Sequence, residues 1–114
     1  VIKDELFERY RANEDFIQKY IFPGGFLPSI NFMEKLIKKN NLKLEKINTY
    51  SDDYARTLSI WRKNFLGVWD KISPLGFDDY FKRMWEFYLS YCEGGFKSRN
   101  INLIQFSMSN KYSS

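Results

Sequence analysis

The chain has 114 residues, 44% of them hydrophobic and 28% charged, with one Cys, no His and a formal net charge of +4. Such a composition folds rather than staying disordered, and it leaves no Ser-His or Cys-His relay, no Cys/His zinc set and no intrachain disulfide within the chain. No run of about 18 apolar residues is long enough to span a bilayer and no secretory pattern opens the chain, so the expected setting is a reducing cytoplasm, with phospholipid headgroups or nucleic acid as anionic partners.

The first segment, Asp4 to Tyr20, places Leu6, Tyr10, Phe16, Ile17 and Tyr20 near helical spacing among charged residues. It predicts a helix with a break around Asn13. Phe22-Pro23-Gly24-Gly25-Phe26-Leu27-Pro28 stops it, because two prolines and a Gly pair favour a turn. Ser29 is placed to cap a second helix carrying Ile30, Met33, Leu36 and Ile37, and Asn40-Asn41 is placed to end it. Leu42 to Thr49 alternates and then shifts phase at Ile47, the pattern of a bulged strand.

Ser51-Asp52-Asp53 offers caps and negative charge to a third helix. Its stripe is Tyr54, Leu58, Trp61, Phe65, Trp69 and Ile72, broken at Pro74-Leu75-Gly76. Asp78 or Asp79 then caps a helix with Phe81, Met84, Tyr88 and Tyr91 or Cys92 on one face, ended by Gly94-Gly95. Ile101 to Met108 reads as a last strand, and Asn110 to Ser114 as a loose polar tail. Two strands make a poor independent sheet. The order therefore predicts one unit that closes a larger α/β sheet, with an inserted helical hairpin as cover. A first residue of Val rather than Met agrees with a piece of something longer.

Aromatic residues reach 19% (11 Phe, 8 Tyr, 3 Trp), more than a core of this size needs, so some rings are expected to line a pocket or an interface. The basic residues are scattered, with short clusters at Lys38-Lys39 and Lys82-Arg83. Neither Gly pair has phosphate-loop spacing. Asp52-Asp53 and Asp78-Asp79 are explained as helix-start carboxylates. Cys92, on an apolar stripe without a His to activate it, reads as a buried, inert thiol. Tyr54 stays open between two roles: a packed core ring, or a phenol donating to an anion near a helix N-terminus.

Three blocks then carry a resemblance. Asp15-Phe16-Ile17-Gln18-Lys19-Tyr20-Ile21-Phe22-Pro23-Gly24-Gly25-Phe26-Leu27-Pro28-Ser29 is one. Asp53-Tyr54-Ala55-Arg56-Thr57-Leu58 with Trp61-Arg62 and Phe65 is the second. Met84-Trp85-Glu86-Phe87-Tyr88-Leu89-Ser90-Tyr91-Cys92-Glu93-Gly94-Gly95-Phe96 is the third. Together, in this order, they resemble the cyclopropane-fatty-acyl-phospholipid synthases and the related mycolic acid cyclopropane synthases. The resemblance implies the C-terminal portion of a Rossmann-type α/β methyltransferase dependent on S-adenosylmethionine, mostly helical here with two strands, and residues 1–114 as a single acyl-pocket segment. It implies methyl transfer to the cis double bond of an unsaturated acyl chain, with bicarbonate as the base that removes a proton when the ring closes.

By position, the resemblance makes Tyr54 the bicarbonate-holding tyrosine and places Phe22, Leu27, Leu58, Tyr88, Cys92 and Phe96 along the acyl tunnel. The family's Gly-rich cofactor loop, its acidic ribose-binding residue and its upstream Cys, Glu and His have no counterpart here, so the segment is expected to be inactive alone. The implied setting is cytoplasmic, peripheral to the inner face of the membrane. The implied partner is unsaturated phospholipid rather than nucleic acid, and exposed tunnel rings would favour a homo-oligomer. Two other readings stay open: a related enzyme making methyl-branched chains, and a stand-alone basic, aromatic-rich module for lipid or nucleic acid.

Overall fold

The structure, a computed structural model, describes residues 1–110. A 3-10 turn at Asp4–Leu6 leads into α1 (Phe7–Ala12), and a π turn follows at Ile17–Ile21. Then come α2 (Ile30–Lys39), β1 (Leu42–Thr49), α3 (Ser51–Gly67), α4 (Trp69–Ile72), a 3-10 turn at Ser73–Leu75, α5 (Asp79–Lys97) and β2 (Ile104–Asn110). The strands pair antiparallel as a two-stranded sheet, from Leu42 opposite Asn110 to Thr49 opposite Ile104. The register shifts between Leu44 and Lys46, where the phase of the apolar pattern changes. Asn110 thus belongs to the sheet rather than to a tail, and residues 111–114 lie outside the described residues.

The helix boundaries follow local chemistry. Ser29 accepts from the Phe32 N–H at 3.1 Å and Asp78 from the Phe81 N–H at 2.9 Å, each satisfying an otherwise orphaned donor. Asn41, at φ 59°, takes the left-handed conformation that ends α2.

Four expectations are corrected. The first segment is a short α-helix and a π turn separated at Asn13, not one helix to Tyr20. The third helix bends at Gly67-Val68, so that Trp69–Ile72 is a separate turn, before the break at Pro74. The α3 N-cap is Tyr50, with no side-chain cap. Ser51 lies inside the helix, and its buried hydroxyl donates across to the Phe96 carbonyl.

The fourth concerns Gly94-Gly95, which do not end α5. A Cβ on Gly95 would lie 2.9 Å from Cδ1 and Cγ1 of Ile101, so glycine is needed there for the returning chain to approach. The stop comes two residues later. Arg99, at φ 63°, donates its N–H to the Phe96 carbonyl, while Ile101 N–H reaches the Gly95 carbonyl. Glycine costs about 1 kcal/mol relative to alanine in a helix interior, and burial of Phe96 beyond the pair offsets it.

The core sits between α3 and α5: Ala55 and Leu58 from the first, Leu89, Cys92 and Phe96 from the second. On its outer edge Glu93 accepts from Lys97 Nζ at 2.7 Å and lies 3.7 Å from the Arg62 guanidinium across the helix pair. A second cluster joins α2 to the sheet through Ile37, Leu44, Ile47 and Ile104. The principal extents are 57 × 29 × 26 Å and the radius of gyration is 17.6 Å, against about 13 Å for a compact chain of this length. The helical pair therefore projects from the sheet instead of folding back on it.

The hydrogen bond from Lys97, assisted by charge from Lys97 and Arg62, holds the Glu93 carboxyl below the ordinary glutamate range. A lowered folded-state pKa contributes stability above the unfolded value and loses it as pH falls through the folded one. Thermal melts of the whole protein should show Glu93→Gln less stable than wild type at pH 7, by about 1–3 kcal/mol, with the gap closing below about pH 4. A Gly95→Leu variant should lose about 1–3 kcal/mol at every pH from overpacking against Ile101, measured by urea unfolding.

Candidate functional site

The concave side of the α3–α5 pair is a cavity of about 410 Å³, closed over by the π turn and the Pro-Gly loop. Its size falls within the range of small-molecule sites. Leu58 from α3 and Leu89, Cys92 and Phe96 from α5 form its floor, and all four are buried. Tyr54, Trp61, Trp85 and Tyr88 supply aromatic walls, while Phe22 and Leu27 form the rim on the loop. Tyr54, Phe22, Leu27, Leu58, Tyr88, Cys92 and Phe96, singled out from the sequence, all line this one cavity. They do not share one environment: Leu58 is 3% exposed and Phe22 56%.

Tyr54 lies in the first turn of α3. Its ring meets Phe96 edge-on at 4.8 Å between centroids and Trp61 at 6.0 Å. Both readings of this residue thus meet in one place: the ring is packed on two sides, and the side chain also faces the cavity. The bond from Ser51 to the Phe96 carbonyl joins the start of α3 to the end of α5 one turn away from this contact. That bond sets the level at which the two rings meet.

Cys92 is buried, as expected. Burial pushes its pKa up to about 11, and the described residues contain no cluster of three or more His, Cys, Asp or Glu able to hold a metal. Burial also raises the Tyr88 phenol, with Cys92 next to it as a further cause. Both groups are therefore neutral at physiological pH.

Four contributors were not read from the sequence as site residues. Asp15 and Gln18 exchange bonds, the Gln18 N–H to Asp15 Oδ1 and the Asp15 N–H to Gln18 Oε1, each 2.9 Å. The Gln18 amide then donates to the Gly25 carbonyl at 2.9 Å. The Leu27 N–H donates to the Tyr10 hydroxyl at 2.9 Å, so the Pro-Gly loop is held at two points from the cavity side. Trp85 packs on Tyr88 at 5.0 Å. Asp15-x-x-Gln18 has capping-box spacing, a signal available in the sequence; the reach from Tyr10 to Leu27 has none.

Residues 2–106 match the family described as Mycolic acid cyclopropane synthetase, and the chain belongs to that family. It is 39% identical over 99 residues to the tuberculostearic acid methyltransferase UfaA1 of Mycobacterium tuberculosis, covering 86% of this chain and 23% of that protein. With the cyclopropane-fatty-acyl-phospholipid synthase of Escherichia coli it shares 36% identity over 92 residues, or 81% of this chain and 24% of that one. The chain thus spans about a quarter of the length of these relatives.

Among solved structures, the fold matches the mycolic acid cyclopropane synthase CmaA1, complexed with SAH and CTAB, at a TM-score of 0.77 and 26% identity. The match covers 91% of this chain and 35% of that one. The cyclopropane synthase MmaA2 of Mycobacterium tuberculosis gives the same TM-score at 27% identity, over 82% of this chain and 32% of that one. The fold class expected from the resemblance, part of an α/β methyltransferase fold that is mostly helical here with two strands, holds.

A thiol raised this far is almost wholly protonated at neutral pH. Cys92 should react with a soluble disulfide reagent at pH 7.5 at least about 100-fold more slowly than an exposed cysteine, and rapid reaction should appear only on unfolding.

Proposed function

We propose that this chain is the acyl-pocket segment of a methyltransferase acting on the cis double bond of an unsaturated phospholipid acyl chain, with a cyclopropane ring as the product. The observation that carries this reading is the aromatic cavity itself, lined mainly by apolar and aromatic side chains, with the Tyr54 phenol on its wall. Length, rather than polarity, is what such a channel recognises: Leu58, Phe96 and Trp85 offer dispersion contact to methylenes, and the neutral Tyr88 and Cys92 carry no charge to repel them.

S-adenosylmethionine would supply the methyl group and bicarbonate the base. The Gly-rich cofactor loop that the resemblance implies has no counterpart in this sequence, and the reading assigns the site for the first to the part of the relatives that this chain does not span. Tyr54 fits the second. Its hydroxyl has no hydrogen-bond partner among the described residues, its ring is fixed by Phe96 and Trp61, and it stands at the N-terminal end of α3, where anions are favoured. Tyr54 would hold the anion through its O–H, and the packed rings around it would exclude water and strengthen that bond. By itself the segment is expected to be inactive, and in the whole protein it would work at the inner face of the membrane.

A second reading has its own support. The relative at 39% identity is named as a methyltransferase of tuberculostearic acid rather than as a cyclopropane synthase. The cavity walls fix an acyl chain without fixing the fate of the methylated centre, so a methyl-branched chain is the alternative product.

Incubating the whole protein with labelled S-adenosylmethionine and unsaturated phospholipid vesicles, followed by mass spectrometry of the acyl chains, separates the two. A ring-bearing chain one methylene heavier supports the first reading, a methylated chain without a ring supports the second, and cofactor binding with no lipid product overturns both. Tyr54→Phe should lower turnover by about 100-fold or more with cofactor affinity unchanged; equal loss of both would assign the ring to folding alone.

A further inference from the structure

α5 is apolar on two adjoining faces. One carries Trp85, Tyr88, Leu89, Cys92 and Phe96 toward α3 and the cavity. The other carries Tyr80, Met84, Phe87 and Tyr91 at helical spacing, with Arg83 among them. This second face is only partly covered by the π turn and by Phe16 before it, whose ring lies 4.7 Å from Phe87 and 5.3 Å from Tyr20. Phe16, Tyr20, Tyr80, Arg83, Met84 and Phe87 enclose a surface groove of about 330 Å³. Tyr20 is 50% exposed, Phe87 52% and Tyr80 61%, far more than rings of a finished core.

Position and charge narrow what meets this groove. Val1 donates its amine to the Asn102 carbonyl at 2.8 Å, and Ile2 bridges to Ile101. The start of the chain and the sheet therefore lie by the C-terminal end of α5. Tyr80 and Arg83 lie near the other end of this 19-residue helix, roughly 20 Å or more away along its axis. Arg83 is exposed and forms no salt bridge among the described residues, whereas Arg62, Lys97 and Arg99 do. Lys19 Nζ stands 5.3 Å from the Tyr20 ring centroid. Tyrosine rings beside exposed cations are the side-chain chemistry of a membrane interface, and a guanidinium pairs with phosphate through two parallel bonds. The π turn stands between the groove and the cavity: Phe16 and Tyr20 border the groove, Ile17 and Phe22 the cavity.

We infer that the outer face of α5, with the groove at Arg83, is the surface by which the protein docks on a phospholipid bilayer. Arg83 meets lipid phosphate, and Tyr20, Tyr80 and Phe87 enter the interfacial layer. This rests on the phospholipid reading of the cavity and adds where the bilayer is met.

The test uses the whole protein and vesicles of unsaturated phosphatidylglycerol and phosphatidylethanolamine. Arg83→Glu and the pair Tyr80→Ser with Phe87→Ser lie outside the cavity. Each should weaken vesicle co-sedimentation by roughly 10-fold or more, with turnover on vesicles falling in step. Cofactor affinity and melting temperature should stay at wild-type values, and the salt dependence of binding should become shallower for Arg83→Glu. Unchanged vesicle binding in both variants, or no vesicle binding by wild type, overturns the proposal. Loss of an oligomer by light scattering, in parallel with the loss of binding, also overturns it and assigns the face to a second copy of the chain. Binding that depends on these residues without any lipid product supports the docking face and overturns only the reading of the cavity.

Discussion

The contact between α3 and α5 carries the rest of this structure. Ala55 lets the two helices approach, Leu58 and Leu89 fill the seam, and Phe96 closes it at the end where Ser51 bonds across. Most of these side chains are also the floor of the cavity. A core normally gains stability by filling every side with neighbours. Here one side faces space, so part of the dispersion energy of those residues is forgone. Polar ties around the seam take up some of that role: the Ser51 hydroxyl on one edge and the Arg62–Glu93–Lys97 group on the other.

The Pro-Gly loop has a comparable division of labour. Pro23 cannot donate a backbone hydrogen bond, and Gly24 at φ 80° turns the chain in a conformation that side chains resist. The loop would be free to wander if those were its only constraints. Gln18 and Tyr10 hold it from below through the Gly25 carbonyl and the Leu27 N–H. The outward rings, Phe22 and Phe26, are left to form the rim, with Phe26 also packed on Phe7 and Tyr10.

Much of this was legible in the sequence, for reasons that can be separated. Ser29, Asp78, Asn41 and the phase shift before Ile47 are local signals, and each is read by chemistry within a few residues of it. Gly94-Gly95 misled because a glycine pair has two uses, ending a helix or admitting a neighbour. Only the position of Ile101 decides between them. Ser51 misled in the same way, since a hydroxyl at a helix start can cap its own backbone or reach another helix. The cavity's composition was visible as a surplus of rings, and the resemblance said which positions to look at. That Tyr10 joins them depends on how the first segment folds over α5, which no local pattern encodes.

The distribution of tryptophan has an optical consequence. Trp61 and Trp85 stand in the cavity wall, whereas Trp69 is buried apart from it, beneath Lys82. Two of the three indoles therefore sense what fills the cavity, and the third supplies a nearly constant background. Tyr54 and Tyr88 lie within 6.0 Å and 5.0 Å of Trp61 and Trp85, close enough to pass excitation to them. The segment thus carries an intrinsic fluorescence probe at the place of interest, one whose emission would shift toward the blue as an aliphatic chain displaced water from around the rings.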